Sequence, residues 1–255
     1  MNDAIFSAEH LNLSFGGVHA LRDVSFDVER GEVFCIIGPN GAGKTTIFNL
    51  ISRLYDVDGD GRILFDGEDI TRIATSDVAR RGIARTFQNT ELFDHETVLK
   101  NLLIGRHVHR KTNILSELFF TPSVARQELQ FREATEAVID LLNLQSYRDQ
   151  VIANLPYGVR KMVEVARALC IEPKLLLLDE PSSGLNPEET EDVAFWIEDI
   201  NEELGATIIM VEHDMNLVSR ASQRVMAMAD GAVLAVGSPA DIQNHPEVLR
   251  AYLGD

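Results

Sequence analysis

The run Gly38-Pro39-Asn40-Gly41-Ala42-Gly43-Lys44-Thr45-Thr46 constrains the fold more than any other part of the chain, because it answers G-x-x-x-x-G-K-[ST] in full. Before it, Glu32-Val33-Phe34-Cys35-Ile36-Ile37 is short and apolar enough for a buried parallel strand. After it, Ile47, Phe48, Leu50, Ile51 and Leu54 recur at helical spacing. A loop joining strand to helix places unpaired backbone N–H groups and partial positive charge at the helix start, and glycines let that backbone curl around phosphate oxygens. The loop predicts a bound nucleotide. Lys44 is expected to reach its β- and γ-phosphates, Thr45 to place a hydroxyl on Mg²⁺, and Thr46 to face the α-phosphate side.

A second charged element suits the same chemistry. Lys174-Leu175-Leu176-Leu177-Leu178-Asp179-Glu180 is an apolar run ending in two carboxylates, and a buried parallel strand delivers both to the carboxyl edge of the sheet, where ligands bind. Asp179 is expected to hold Mg²⁺ through water, and Glu180 to orient or deprotonate the water that attacks the γ-phosphate.

Bulk properties narrow the class. The 255 residues, 45% hydrophobic and 25% charged, can bury a large core in one or two domains. No apolar stretch approaches the roughly 20 residues that span a bilayer, and Met1-Asn2-Asp3-Ala4 lacks the basic and apolar regions of a secretion signal. A soluble protein is expected, whose membrane-spanning partner, if it has one, is another chain. A net charge of −17 argues against nucleic acid as a partner. Lys100, Arg106, Arg110 and Lys111 fall together without an acid between Thr97 and Ser116, which reads either as a docking surface or as a solvated face. Cys35 and Cys170 form no ligand motif and are expected to fill the core in a reducing compartment.

Texture changes along the chain. From Ile5 to Val28 the pattern is strand-like around a Gly16-Gly17 turn, and Arg62-Ile63-Leu64-Phe65 before Asp66-Gly67 reads as another antiparallel piece, so residues 1–30 and 58–72 are expected to form a β lobe. Residues 89–157 read as a helical insertion: Thr97 can cap a helix closed by Gly105, and Pro122-Ser123 opens a long one. The α/β texture then resumes with a helix to Cys170, a strand over 175–178, a helix opened by Asn186-Pro187-Glu188-Glu189, and a strand over 206–211. Asp230-Gly231 marks a hairpin, and a last short helix begins at Ser238-Pro239. The absence of repeats and linkers makes the whole chain one nucleotide-binding domain.

These residues resemble the ATP-binding subunits of ABC transporters, whose ordered motifs run from about Phe15 to His213. Arg85-Thr86-Phe87-Gln88 is similar to the Q-loop, Leu155-Pro156-Tyr157-Gly158-Val159 occupies the signature position, Ser182-Ser183-Gly184-Leu185-Asn186 the D-loop, and Val211-Glu212-His213-Asp214 the switch histidine. The resemblance implies an α/β fold, a RecA-like P-loop NTPase core carrying an antiparallel β subdomain and an inserted helical subdomain. It further implies that Gln88 contacts Mg²⁺ or the water, that His213 contacts the γ-phosphate, and that Phe15 stacks on adenine. ATP and Mg²⁺ are the implied cofactors. In this family two subunits sandwich ATP, so Pro156, Tyr157, Gly158 and Asn186 are expected to face a partner's nucleotide. The usual signature is Leu-Ser-Gly-Gly-Gln, and Pro156 has no hydroxyl to offer a phosphate.

A nearer resemblance is to the larger ATPase subunit of branched-chain amino-acid importers, through Phe15-Gly16-Gly17, Arg85 to Gln88, Tyr157-Gly158, Gly184 to Pro187, Glu212 to Met215, and Ala251 to Gly254. It implies a hydrolytic motor for amino-acid transport on the inner face of the cell membrane. Its implied partners are transmembrane permease subunits, a second ATPase subunit in a heterodimer, and indirectly a solute-binding protein. An importer of amides, urea or aromatic acids, a soluble ABC ATPase uncoupled from transport, and a non-hydrolysing regulator are the competing readings.

Overall fold

The computed structural model describes residues 4–86, 92–110 and 121–253. It divides into two compact units, one built from residues 1–78 with 174–255 and the other from residues 79–173. In chain order the elements are β1 (Ala4–Phe15), β2 (Val18–Glu29), β3 (Val33–Ile37), α1 (Lys44–Ile51), β4 (Arg62–Phe65), β5 (Glu68–Asp69), α2 (Thr75–Val78) and β6 (Ile83–Arg85). Then come α3 (Val98–Gly105), α4 (Pro122–Leu141), α5 (Tyr157–Leu169), β7 (Leu175–Asp179), α6 (Pro187–Leu204), β8 (Thr207–Val211) and α7 (Met215–Ala221). The chain closes with β9 (Arg224–Ala229), β10 (Ala232–Gly237), α8 (Pro239–Gln243) and α9 (Pro246–Leu253).

In the first unit, β3, β7 and β8 are buried at every residue, as strands covered on both faces must be. Each buried Leu or Ile side chain there contributes about 1.5–3 kcal/mol relative to exposure. Strand β3 lies between β9 and β8, and β8 between β3 and β7, all parallel, while β10 closes one side antiparallel to β9. A separate antiparallel sheet runs in the order β2-β1-β4-β5. Phe26 of β2 stacks on Phe34 of β3 with ring centroids 5.5 Å apart and so fastens the two sheets together.

Helix α1 is shorter than its apolar spacing predicts. It ends at Ile51, and Leu54 stands exposed beyond it. Arg53, at φ 56°, turns the chain out of the helix, and its buried guanidinium donates to the Tyr55 carbonyl and to Asp56. At the other end of the chain, α9 starts at Pro246, with two residues between it and α8, where His245 rather than a Ser, Thr, Asp or Asn precedes the proline and no capping residue marks the start.

In the second unit, Thr97 caps α3 by accepting from the Lys100 N–H, and α4 opens at Pro122. Of the basic cluster, Lys111 lies outside the described residues, and the other three pair within this unit. Lys100 pairs with Glu96 and Arg110 with Glu128. Arg106 is buried, donating to the Cys170 carbonyl at 2.9 Å and to Glu172 at 2.7 Å while lying over the Phe131 ring. Apolar Phe131 and the end of α5 draw that one cation inward, which periodicity on α3 does not reveal. Cys35 and Cys170 are free, buried thiols. Burial pushes Cys170 up to about 12, so it stays a protonated core residue.

Candidate active site

Strand order assembles the site. Ile36 of β3 pairs with Val211 of β8, and Val211 pairs with Asp179 of β7, so the carboxyl ends of three adjacent strands stand level. The segments that follow them are the phosphate loop, Glu212-His213 and Glu180. Sequence separations of more than 130 residues thus collapse to neighbouring positions on one sheet edge, the place where ligands bind in open α/β sheets.

The phosphate loop turns directly into α1, whose N-cap is Gly43 at φ 100° with no side-chain cap. The first-turn N–H groups therefore have no capping side-chain oxygen at Gly43, as an anion-binding helix start requires. Gly43 is fixed for two reasons, its positive φ and a close approach: a Cβ there would lie 2.8 Å from the Ala20 carbonyl and 2.8 Å from Leu21. Gly41, at φ 84°, has open space where a Cβ would project. Gly43→Ala is accordingly expected to weaken nucleotide binding at least about tenfold and to destabilise the fold by about 1–3 kcal/mol. Gly41→Ala carries backbone strain alone and should cost less in both nucleotide titration and thermal melting. Equal losses in the two variants would contradict this account of the loop.

Lys44 is buried, and its ammonium donates to the Gly38 carbonyl at 2.6 Å and the Pro39 carbonyl at 3.1 Å, bracing the loop from within. Burial lowers its pKa, while the nearby carboxylates of Glu180 and Asp179 act to raise it. The three charged groups named from the sequence thus share one electrostatic neighbourhood. Asp179 closes β7 and is buried. Glu180 takes the left-handed conformation at φ 49°, held by its N–H on the Val211 carbonyl at 2.9 Å. A non-glycine residue there costs about 1–3 kcal/mol, a strain typical of functional positions. The left-handed turn ends the strand at Asp179.

After Glu180 the Ser183 N–H donates to the Glu180 carbonyl and the Leu185 N–H to the Ser182 carbonyl. Asn186 then caps α6 in a full capping box with Glu189, at 3.0 Å in both directions. On the neighbouring loop His213 presents an exposed imidazole. Beneath it lies Glu212, fully buried, which reading of the sequence assigned no task; a lone acid before a histidine carries no periodic signal.

Phe15 ends β1 half-exposed, and Tyr55 meets it edge-on with centroids 5.1 Å apart, adding a second aromatic that the sequence did not single out. Tyr252 on α9 is partly exposed; desolvation raises its hydroxyl pKa and a hydrogen bond to the Gly38 backbone opposes that. In the second unit Pro156 occupies the N-cap of α5 without a side-chain cap, Tyr157 is exposed and Gly158 is buried in the first turn. Gln88 lies outside the described residues.

The profile of the ABC transporter family matches residues 21–183, which take in the phosphate loop, Asp179 and Glu180. The chain belongs to the ABC transporter family. As an ABC cassette it binds ATP and is a transport-coupled ATPase of α/β, P-loop NTPase fold. A profile of the branched-chain amino acid ATP-binding cassette transporters matches residues 232–255. The cassette is 40% identical to the high-affinity branched-chain amino acid transport ATP-binding protein BraF of Pseudomonas aeruginosa over all 255 residues, covering both chains completely. It is 37% identical to LivG of Escherichia coli, again over the full length of both. Among solved structures, the ADP conformation of MJ1267, an ATP-binding cassette of an ABC transporter, superimposes with a TM-score of 0.86 at 31% identity, covering 99% of each chain. Among the described residues no helix is long and apolar enough to cross a membrane.

Proposed function

We propose that this cassette is the ATP-hydrolysing subunit of an importer for branched-chain amino acids, peripheral on the cytoplasmic face of the cell membrane. The observation that carries the reading is full-length identity to BraF together with the terminal match at residues 232–255, which lies outside the ATP-binding motifs. Transmembrane permease subunits are the direct partners, a solute-binding protein is an indirect one, and nucleic acid is not a partner. The chain forms one nucleotide-binding domain.

In the mechanism Lys44 and the N–H groups at the start of α1 hold the β- and γ-phosphates. Phe15 stacks on adenine with Tyr55 supporting its ring edge. The Thr45 hydroxyl and the Asp179 carboxylate are the hard oxygen donors that suit Mg²⁺, with Gln88 as a further ligand. Mg²⁺ held by these residues would neutralise charge developing on the phosphoryl oxygens. Glu180 orients the attacking water and takes its proton, and His213 donates to a γ-phosphate oxygen.

Pro156, Tyr157, Gly158 and Asn186 face the nucleotide of a second ATPase subunit. Because Pro156 supplies no hydroxyl, a heterodimer whose other subunit carries a standard signature is the favoured assembly. Affinity purification of the tagged chain from membranes tests both points. Spanning proteins and a different ATPase should copurify; recovery of a homodimer alone would refute the heterodimer, and recovery without any spanning protein would refute the importer.

A further inference from the structure

The buried carboxylate of Glu212 ties two catalytic loops together. It follows β8 directly, its own N–H continues the ladder to the Ile36 carbonyl, and its side chain is 0% exposed. One oxygen accepts from the Ser182 N–H at 2.9 Å. The other accepts from the His213 N–H at 2.9 Å and, at longer range, from the Asp214 N–H at 3.4 Å. The His213 imidazole stands 3.8 Å from that second oxygen. Asp214 in turn caps α7 through the Asn216 and Leu217 N–H groups. A buried carboxylate answered by backbone N–H groups fixes those groups more firmly than a neutral acceptor does.

The two arms belong to segments about 30 residues apart in sequence that meet because β7 and β8 pair. Ser182 stands two residues after Glu180 and opens the segment that ends at the Asn186 cap, while His213 lies on the next loop. We propose that Glu212 is a positioning residue that locks the backbone of His213 to that of Ser182, so that the switch histidine and the Glu180 turn move as one body during turnover. The proposal rests on the hydrolytic roles given above to Glu180 and His213. Its chemistry is geometric: Glu212 touches no substrate atom, and its charge holds two amide groups in register.

Glu212→Gln preserves size but presents an amide NH₂ to one set of N–H donors, so one arm of the clamp must open. In the purified transporter complex kcat for ATP should fall about tenfold or more, with the KM for ATP held within about twofold because the phosphate loop is untouched. In a His213→Ala background the same substitution should cost markedly less, since the histidine it positions is already gone. An unchanged kcat, a parallel loss of ATP affinity, or an equal cost in both backgrounds would overturn the proposal. Absence of ATPase activity in the unsubstituted complex would instead count against the hydrolytic reading itself. Should Glu212→Gln fail to fold, amide exchange in the unsubstituted protein decides the matter. The Ser182 and His213 amides are expected to open together with equal protection, and a Ser182 amide opening ten times faster than that of His213 would contradict the clamp.

Discussion

Replacing Glu180 with Gln is expected to lower kcat for ATP hydrolysis by about 10²–10⁴-fold, the usual contribution of a general base, while ATP affinity stays within about twofold. Glu180 follows a fully buried strand at the sheet edge, takes a strained left-handed backbone, and lies close enough to Lys44 for its charge to act on the ammonium. Gln keeps the length and the hydrogen-bonding reach of the side chain but cannot accept a proton at neutral pH. Nucleotide titration beside a phosphate-release assay separates the two quantities. A variant that hydrolyses ATP at the original rate would show that another group takes the proton.

Lys44→Ala should act on binding instead. The ammonium is buried, and in the proposed role it makes the charge-assisted contact to the triphosphate. Removing it also strips the loop of its braces to the Gly38 and Pro39 carbonyls. Loss of one or two charged hydrogen bonds predicts an ATP affinity about 10²-fold weaker. Lys44→Arg should not restore it, because the broad guanidinium fork does not fit a site shaped around a compact ammonium. The protonated amine is the binding form, and its pKa lies below 10.5 because burial disfavours the charge. Affinity is therefore full at neutral pH and falls as pH rises, through an alkaline window that begins earlier than that of a free lysine. Unchanged affinity in Lys44→Ala would refute the assignment.

Much of this site was legible because its signals are local. The phosphate loop needs its glycines and lysine at fixed spacing, and the strands that feed Asp179 and Glu180 are uninterrupted apolar runs. The Asn186 capping box was readable for the same reason, since cap and partner lie three residues apart. What escaped depends on pairing across the sheet. Glu212 gains its role only because β7 and β8 are neighbours, and Tyr55 matters only where the chain after α1 folds back to the end of β1. Arg106 was grouped with surface cations although Phe131 and Glu172, both distant in sequence, draw it into the interior. Leu54 satisfied helical spacing, yet Arg53 in the left-handed conformation had already ended the helix. Gln88 kept its sequence-based role but lies outside the described residues.

The central claim is that hydrolysis at Glu180 drives amino-acid import. Proteoliposomes carrying the copurified complex, with its solute-binding protein on one side and ATP on the other, test it most directly through uptake of labelled leucine. The account predicts ATP-dependent accumulation with the unsubstituted chain and none above background with Glu180→Gln. Equal accumulation with both, or brisk ATP hydrolysis without uptake of leucine, isoleucine or valine, would contradict it.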